Sequence, residues 1–362
     1  MVFLRALIST ARMIRHTSAL SAGLPSDAEV LLDAPDARLA PALAAAGRGD
    51  HRPAAELLAA TREAAEWESR DRYATRLAVF AQHRPDWFGR WLAAAPRDPD
   101  AALMKAELAV RSAWERPGRA EPLRETAPLI ATAAEAAPRD PVPWRIALDH
   151  ARGTHATRTD FEMLWSEAVG RSPHHYGCHV AALQYLSASW YGSHRECLGF
   201  AEDAARAALP GSLLHALPAR AALAVLLGGA DRNVRWIPGR GAAHRTIPAA
   251  PVPAPLLDDR VDAAADLAIA MSARYEPGDP WPAEVRNLLA YVLIARGRWA
   301  AALEQFRLIG PCATSFPWSH LSDDPLGQFL ELRDGVRIQL ASALPLTGPR
   351  RRRSGGAPAT GH

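Results

Sequence analysis

Four short dipeptides limit where this chain of 362 residues can begin its regular structure. They are Asp98-Pro99, Asp140-Pro141, Ser172-Pro173 and Asp279-Pro280. An Asp or Ser side chain accepts the free amides of a helix start. Proline fits the first helical position because its missing N–H costs nothing there. An aromatic or apolar residue follows each pair: Leu103, Trp144, Tyr176 and Trp281. Between these points Ala, Leu, Arg and Glu dominate, residues that lose little side-chain entropy in a helix. Strand formers are scarce in runs. The pattern predicts an all-α chain of recurring helix starts.

A second pattern turns these starts into hairpins. In "NLLAYVLIARGRWAAALEQFRLIGP", Asn287 to Pro311, an apolar helix runs to Arg296 and Gly297 makes a turn. Trp299, Ala302, Leu303 and Phe306 then recur at helical spacing, and Gly310-Pro311 ends the helix. "LAPALAAAGRGDHRPAAELLAATR" repeats the plan with Gly49, Ala54 and Leu58. The small Ala lets two helices approach closely, and the larger residue four later fills the gap between units. Asp140 to Pro173 is a third such unit, with Trp144, Trp165 and Ala168. On these residues the chain resembles the tetratricopeptide repeat, a helix-turn-helix of about 34 residues. The resemblance implies an α-solenoid of stacked antiparallel helical hairpins with degenerate repeats. The segment from Asp98 to Pro138 is several residues too long for one unit, and most units lack the Gly-Tyr pair of the first helix.

Residues 101–200 also resemble an uncharacterised bacterial helical-repeat family, a domain of unknown function. The likeness rests on Ala113-Trp114-Glu115 with Gly118, Asp140-Pro141, Phe161-Glu162-Met163-Leu164, Trp190-Tyr191-Gly192-Ser193 and Phe200-Ala201. It implies a helical fold and brings no activity with it.

The organisation that follows is an N-terminal extension over 1–26, partly helical, with translation starting at Met1 or Met13. A helical-repeat domain covers 27–343, interrupted by an irregular Pro/Gly-rich loop at 228–255. A disordered basic tail covers 344–362, with too little apolar surface to fold. Net charge is +3, and Arg350, Arg351, Arg352 and Arg353 supply four positive charges. The body is therefore nearly neutral, with Arg interleaved among Asp and Glu. Nucleic-acid binding needs a concentrated basic face, which leaves only that Arg run as a weak contact. Cys178, Cys197 and Cys312 are an odd number and suggest no disulfide framework, so a reducing cytoplasm is the expected compartment. No segment reaches the roughly 18 apolar residues of a membrane span.

The densest chemistry lies in "SPHHYGCHVAALQYL", Ser172 to Leu186. His174 and Cys178 are four apart, as are His175 and His179, a spacing at which one helix can offer two metal ligands. With Ser172 as cap, a helix from Pro173 to about Trp190 puts Tyr176, Val180, Leu183 and Trp190 on one buried arc. His179 then flanks that arc with His175 further round, while His174 and Cys178 lie on the far side. The two pairs point about 100° apart and cannot close on one ion, and zinc needs three or four ligands. His194 and Cys197 sit in a Ser193-x-x-Glu196 capping box, which already calls for polar residues. The chain has no phosphate-binding G-x-x-x-x-G-K-[ST] loop, no G-x-S-x-G elbow and no H-E-x-x-H pair, and no cofactor is expected. Asp258-Asp259 and Asp323-Asp324 read as caps or turns.

These observations predict a non-catalytic scaffold or regulatory adaptor that binds a partner protein or peptide in a concave groove. The candidate contact residues are His174, His175, Cys178, Tyr191 and His194, with Trp236 and Trp318, which the periodicity does not explain. The competing expectation is a metal-dependent or small-molecule-binding enzyme. It would use the 173–190 helix, with His175 and His179 as ligands, and the 228–255 loop.

Overall fold

The computed structural model describes residues 20–228 and 255–343. Trp236, most of the irregular loop, the residues before 20 and the arginine run fall outside them. The described chain is mainly helical, with almost no strand. In order come α1 (Leu39–Gly47), α2 (Arg52–Glu63), α3 (Trp67–His83), α4 (Asp86–Ala94) and α5 (Pro99–Trp114). Then follow α6 (Ala120–Arg124), α7 (Ala127–Ala136), α8 (Val142–Thr154), α9 (Arg158–Arg171), α10 (Tyr176–Tyr185) and α11 (His194–Ala207). The last five are α12 (Leu217–Gly228), α13 (Pro255–Ser272), α14 (Ala283–Ala295), α15 (Trp299–Ile309) and α16 (Pro325–Ala343). Most helices pack mainly on the one or two that follow them in the chain. No helix among the described residues is long and apolar enough to cross a membrane.

Three of the four dipeptides bond an amide two residues on, but only Asp98 is the N-cap of its helix, α5; Pro141 and Pro282 hold that place for α8 and α14. Asp98 accepts the Asp100 amide at 2.8 Å, Asp140 the Val142 amide at 2.9 Å and Asp279 the Trp281 amide at 2.8 Å. The fourth does not. Ser172 is the C-cap of α9, its amide held by Ala168 O at 3.1 Å. His175 caps α10 instead, with Nδ1 accepting the Cys178 amide at 3.1 Å. Helix α10 therefore starts at Tyr176 rather than Pro173. It ends at Tyr185 rather than Trp190, because the chain folds back over its end. The Gly192 amide bonds Ser187 O, and a Cβ on Gly192 would lie 2.0 Å from Leu186 O.

The two hairpins read around Gly297 and Gly49 are helix-turn-helix units, α14–α15 and α1–α2, with both glycines at positive φ. Ala302, Phe306, Ala54 and Leu58 are all fully buried. The overlong segment after Asp98 holds a short extra helix, α6, between α5 and α7, which accounts for its excess length.

Two buried arginines tie helices together. Arg70 of α3 is fully buried, with Asp100 at 2.7 Å, Asp140 at 2.5 Å and Leu58 O at 2.8 Å. It thus links α2, α3 and the starts of α5 and α8. Arg286 of α14, also fully buried, meets main-chain carbonyls instead. It donates to the carbonyls of Ser272, Tyr275, Glu276 and Leu308 at 2.7–2.9 Å. These lie at or just past the C-terminal ends of α13 and α15, where orphan carbonyls carry partial negative charge.

The two ends of the described chain meet. A two-residue strand β1 (Leu31–Leu32) pairs in parallel with β2 (Cys312–Ala313), an element the all-helical expectation did not contain. Arg72 of α3 donates to Pro280 O at 3.1 Å and Trp281 O at 2.6 Å. The described part of the expected extension, residues 20–26, packs on the C-terminal helices: Arg307 donates to Ala22 O and Arg333 to Pro25 O.

Removing one partner of a buried ion pair leaves an uncompensated charge, at a cost of about 3–5 kcal/mol. Arg70→Ala is expected to lower the unfolding free energy by that amount in urea melts followed by circular dichroism. A loss below about 1 kcal/mol, the range of a surface pair, would show that Arg70 does not clamp these helices.

Candidate functional site

Helices α3, α5, α8 and α10 face one another around a half-open cavity of about 540 Å³, lined on the far side by Arg220, Pro280, Trp281 and Glu284. Its walls come from helical spacing. Glu68, Asp71, Arg72, Thr75 and Arg76 recur on one side of α3, Glu107, Arg111, Trp114 and Glu115 on α5, and Arg145, Asp149 and Arg152 on α8. Residues three and four apart share a helix face, so each helix turns a charged stripe inward. These residues were absent from the sequence-derived candidates. The charged i, i+4, i+7 stripe is present in the sequence, but alone it reads as a solvated face.

The charges are matched across helices. Arg145 donates to Asp71 at 2.9 Å, Glu107 at 2.7 Å and Asp149 at 3.3 Å. Burial opposes its charge, but the three carboxylates outweigh it and hold its pKa well above the usual value. Arg220 pairs with Glu284, and Arg76 with Asp33 at 3.3 Å. Arg72 lies over the Trp281 ring at 4.2 Å. Glu68 accepts the Tyr176 amide at 2.6 Å, and burial pushes its carboxyl above the usual range. The α10 backbone approaches this wall closely, for a Cβ on Gly177 would lie 2.0 Å from Asp71 Oδ2.

Behind this wall sit the histidines and cysteine of the sequence cluster. His175 is 1% exposed and Cys178 0%. Nδ1 of His175 lies 3.1 Å from Cys178 Sγ, and Nε2 lies 3.2 Å from Trp67 O. Nδ1 accepts the Cys178 amide and Nε2–H donates to Trp67 O; burial opposes a charge on this ring, but Cys178, Glu68 and Asp71 outweigh it and push its pKa up to about 10. Burial pushes the Cys178 thiol up, so it stays protonated. A Cys–His pair of this kind could act as nucleophile and base only where a substrate reaches it, and both groups are sealed in. The placement of Cys178 on an outer face is thus corrected. Helix α10 packs on more than one side, burying Cys178, His179, Ala181, Ala182, Leu183 and Tyr185, while Tyr176 and Val180 line the cavity.

His179 faces away from His175. Its Nδ1–H donates to His175 O at 2.9 Å, and its ring meets Trp165 edge-on at 4.9 Å between centroids. Burial lowers its pKa to about 4. The two rings do not converge, and no group of three potential metal ligands occurs among the described residues. His174 and His194 are half-buried. Tyr191 is exposed, its hydroxyl donating to Arg152 O at 2.9 Å. Trp318 is corrected from surface candidate to core residue: it is fully buried, donates to Asn287 Oδ1 at 2.8 Å and packs against Phe306 and Phe329. The structure therefore gathers His175 and Cys178, leaves His174, Tyr191 and His194 apart from the cavity lining, and puts Trp318 in another core.

Comparison with known proteins found no matching family model, no matching curated protein and no matching solved structure.

Two outcomes follow from the burial. In native protein at pH 8, iodoacetamide should modify Cys178 and Cys197 at least about a hundredfold more slowly than in unfolded protein, with half-buried Cys312 reacting first. Peptide mass spectrometry reads the order, and fast labelling of Cys178 would contradict its burial. For His179, the unfolded chain takes up a proton between pH 6.5 and about 4 that the folded chain refuses. Stability should therefore fall by up to about 3 kcal/mol as pH drops through that window. His179→Gln should remove this component. Identical pH profiles for the two proteins would show that His179 titrates normally.

Proposed function

We propose that this chain is a non-catalytic cytoplasmic scaffold or regulatory adaptor, a tetratricopeptide-like stack of helical hairpins. It receives a short polar segment of a partner polypeptide in its central cavity. One observation carries the reading: α3, α5 and α8 each turn a charged stripe inward around an open space, where a purely structural core would be apolar. The hairpins around Gly49 and Gly297 support the repeat reading. The chain ends meet at β1 and β2, and Asp33 and Ala313 beside that pair line the cavity, which favours a terminus or short loop over a long extended peptide. The sealed Cys178–His175 pair speaks against an enzyme reading.

Val180 lines the cavity and is half-buried there. Val180→Trp should fill part of it. Immobilised full-length wild type is expected to capture a defined partner that the variant binds about tenfold more weakly or worse, a difference of about 1.4 kcal/mol. Both should give the same circular dichroism. Equal capture by both proteins would sink the proposal. The cavity's volume also lies within the range of small-molecule sites. A small molecule retained by wild type in native mass spectrometry, and lost from Val180→Trp, would favour that second reading.

A further inference from the structure

Where α5 and α8 form the cavity wall, three arginines, Arg111, Arg145 and Arg152, stand among three carboxylates, Glu107, Glu115 and Asp149, and the pairing between them is uneven. Trp114, at the end of α5, meets Trp190 edge to face at 5.7 Å. Arg152 of α8 lies over both indoles, at 4.5 and 4.9 Å, and Arg119 lies over the same two, at 5.0 and 5.6 Å. Two like charges thus share one aromatic pair. Burial, with Arg119 adding to it, lowers the Arg152 pKa. The carboxylate on Arg152 is Asp149 at 3.2 Å, which Arg145 also uses at 3.3 Å.

Arg111 lines the same cavity three residues before Trp114. Among the described residues it has neither a hydrogen bond nor an ion pair. The carboxylates four residues to either side are already engaged, Glu107 by Arg145 at 2.7 Å and Glu115 by Gln82 at 2.5 Å. The Nε atoms of Arg111 and Arg152 are both shut off from solvent without an acceptor. Holding a cation partly out of water with no counter-charge is unfavourable. Arg111 is such a cation, and Arg152, which shares Asp149 with Arg145, lines the same cavity.

We propose that Arg111 and Arg152 form an oxyanion-binding subsite in the wall of the central cavity, which takes a carboxylate or phosphate group of the ligand. The inference rests on the reading of that cavity as the ligand-receiving surface. The guanidinium fork matches both groups through paired N–H donors. Stacking on Trp114 and Trp190 occupies the face of Arg152 and fixes its plane.

The test is calorimetric titration of the full-length protein, in low-salt Tris chloride, with inorganic phosphate and separately with acetate. Saturable binding of at least one anion by wild type, weakened tenfold or more in Arg111→Gln, is the expected result. Binding of phosphate alone assigns a phosphoryl group to the ligand, and binding of acetate alone assigns a carboxylate. Because Arg111 has no partner to lose, the unliganded variant should melt no lower than wild type, while added anion should raise the melting temperature of wild type only. The absence of saturable binding to wild type, or equal binding by Arg111→Gln, overturns the subsite. If partner capture is lost in Val180→Trp but wild type binds neither anion, this inference alone fails. Anion binding without any partner capture defeats the adaptor reading alone.

Discussion

The guanidinium of Arg70 sits without solvent exposure between Asp100 and Asp140, and most of the cavity's geometry depends on that contact. Asp100 lies in the first turn of α5, and Asp140 immediately precedes the N-cap of α8 and accepts the Val142 amide. One side chain therefore sets the register of α3 against two other helix starts. Neighbouring residues on a helix point about 100° apart. Arg70 thus reaches into the core while Asp71 turns to the cavity and meets Arg145, 74 residues on. The clamp and the cavity wall are consecutive residues of one helix, so moving the first would disperse the second. A buried ion pair of this kind gives specificity of arrangement more than net stability, because desolvation offsets much of the attraction.

The C-terminal half solves the same problem with different partners. Arg286 is surrounded by carbonyl oxygens rather than carboxylates, and its donors gather two helix ends against α14. Burial lowers its pKa, yet each donor that reaches a carbonyl also satisfies a group that the helix geometry leaves open. The β1–β2 pair and the Arg72 contacts then join this half to α3. In the lining of the cavity between them, Arg111 has neither a hydrogen bond nor an ion pair among the described residues.

Much of the fold was legible because helix capping and helix turns are local. Asp98, Asp140 and Asp279 act on amides two residues away, and Gly49 and Gly297 adopt the backbone that a tight turn needs. Ser172 failed for a reason that is also local. A Ser-Pro pair fits the end of one helix as well as the start of the next, and three residues later an imidazole took the capping role. That shift altered every inside and outside assignment on α10, which is why Cys178 turned from surface candidate to core. Trp318 misled because its hydrogen-bond partner, Asn287, lies 31 residues earlier, beyond the reach of any periodicity.

The sequence by itself determined that the chain is helical, where some of its helices begin, and that no familiar catalytic motif is present. Each of these depends on residues within about one helical turn of one another. Only the tertiary structure decided that the charged faces of α3, α5 and α8 turn toward each other. A charged stripe has the same spacing whether it meets water or another stripe. The answer lies in partners 38 to 74 residues apart, such as Glu107 and Asp71 around Arg145. Whether a given arginine finds its carboxylate is likewise settled by those distant pairings, and they leave Arg111 with none.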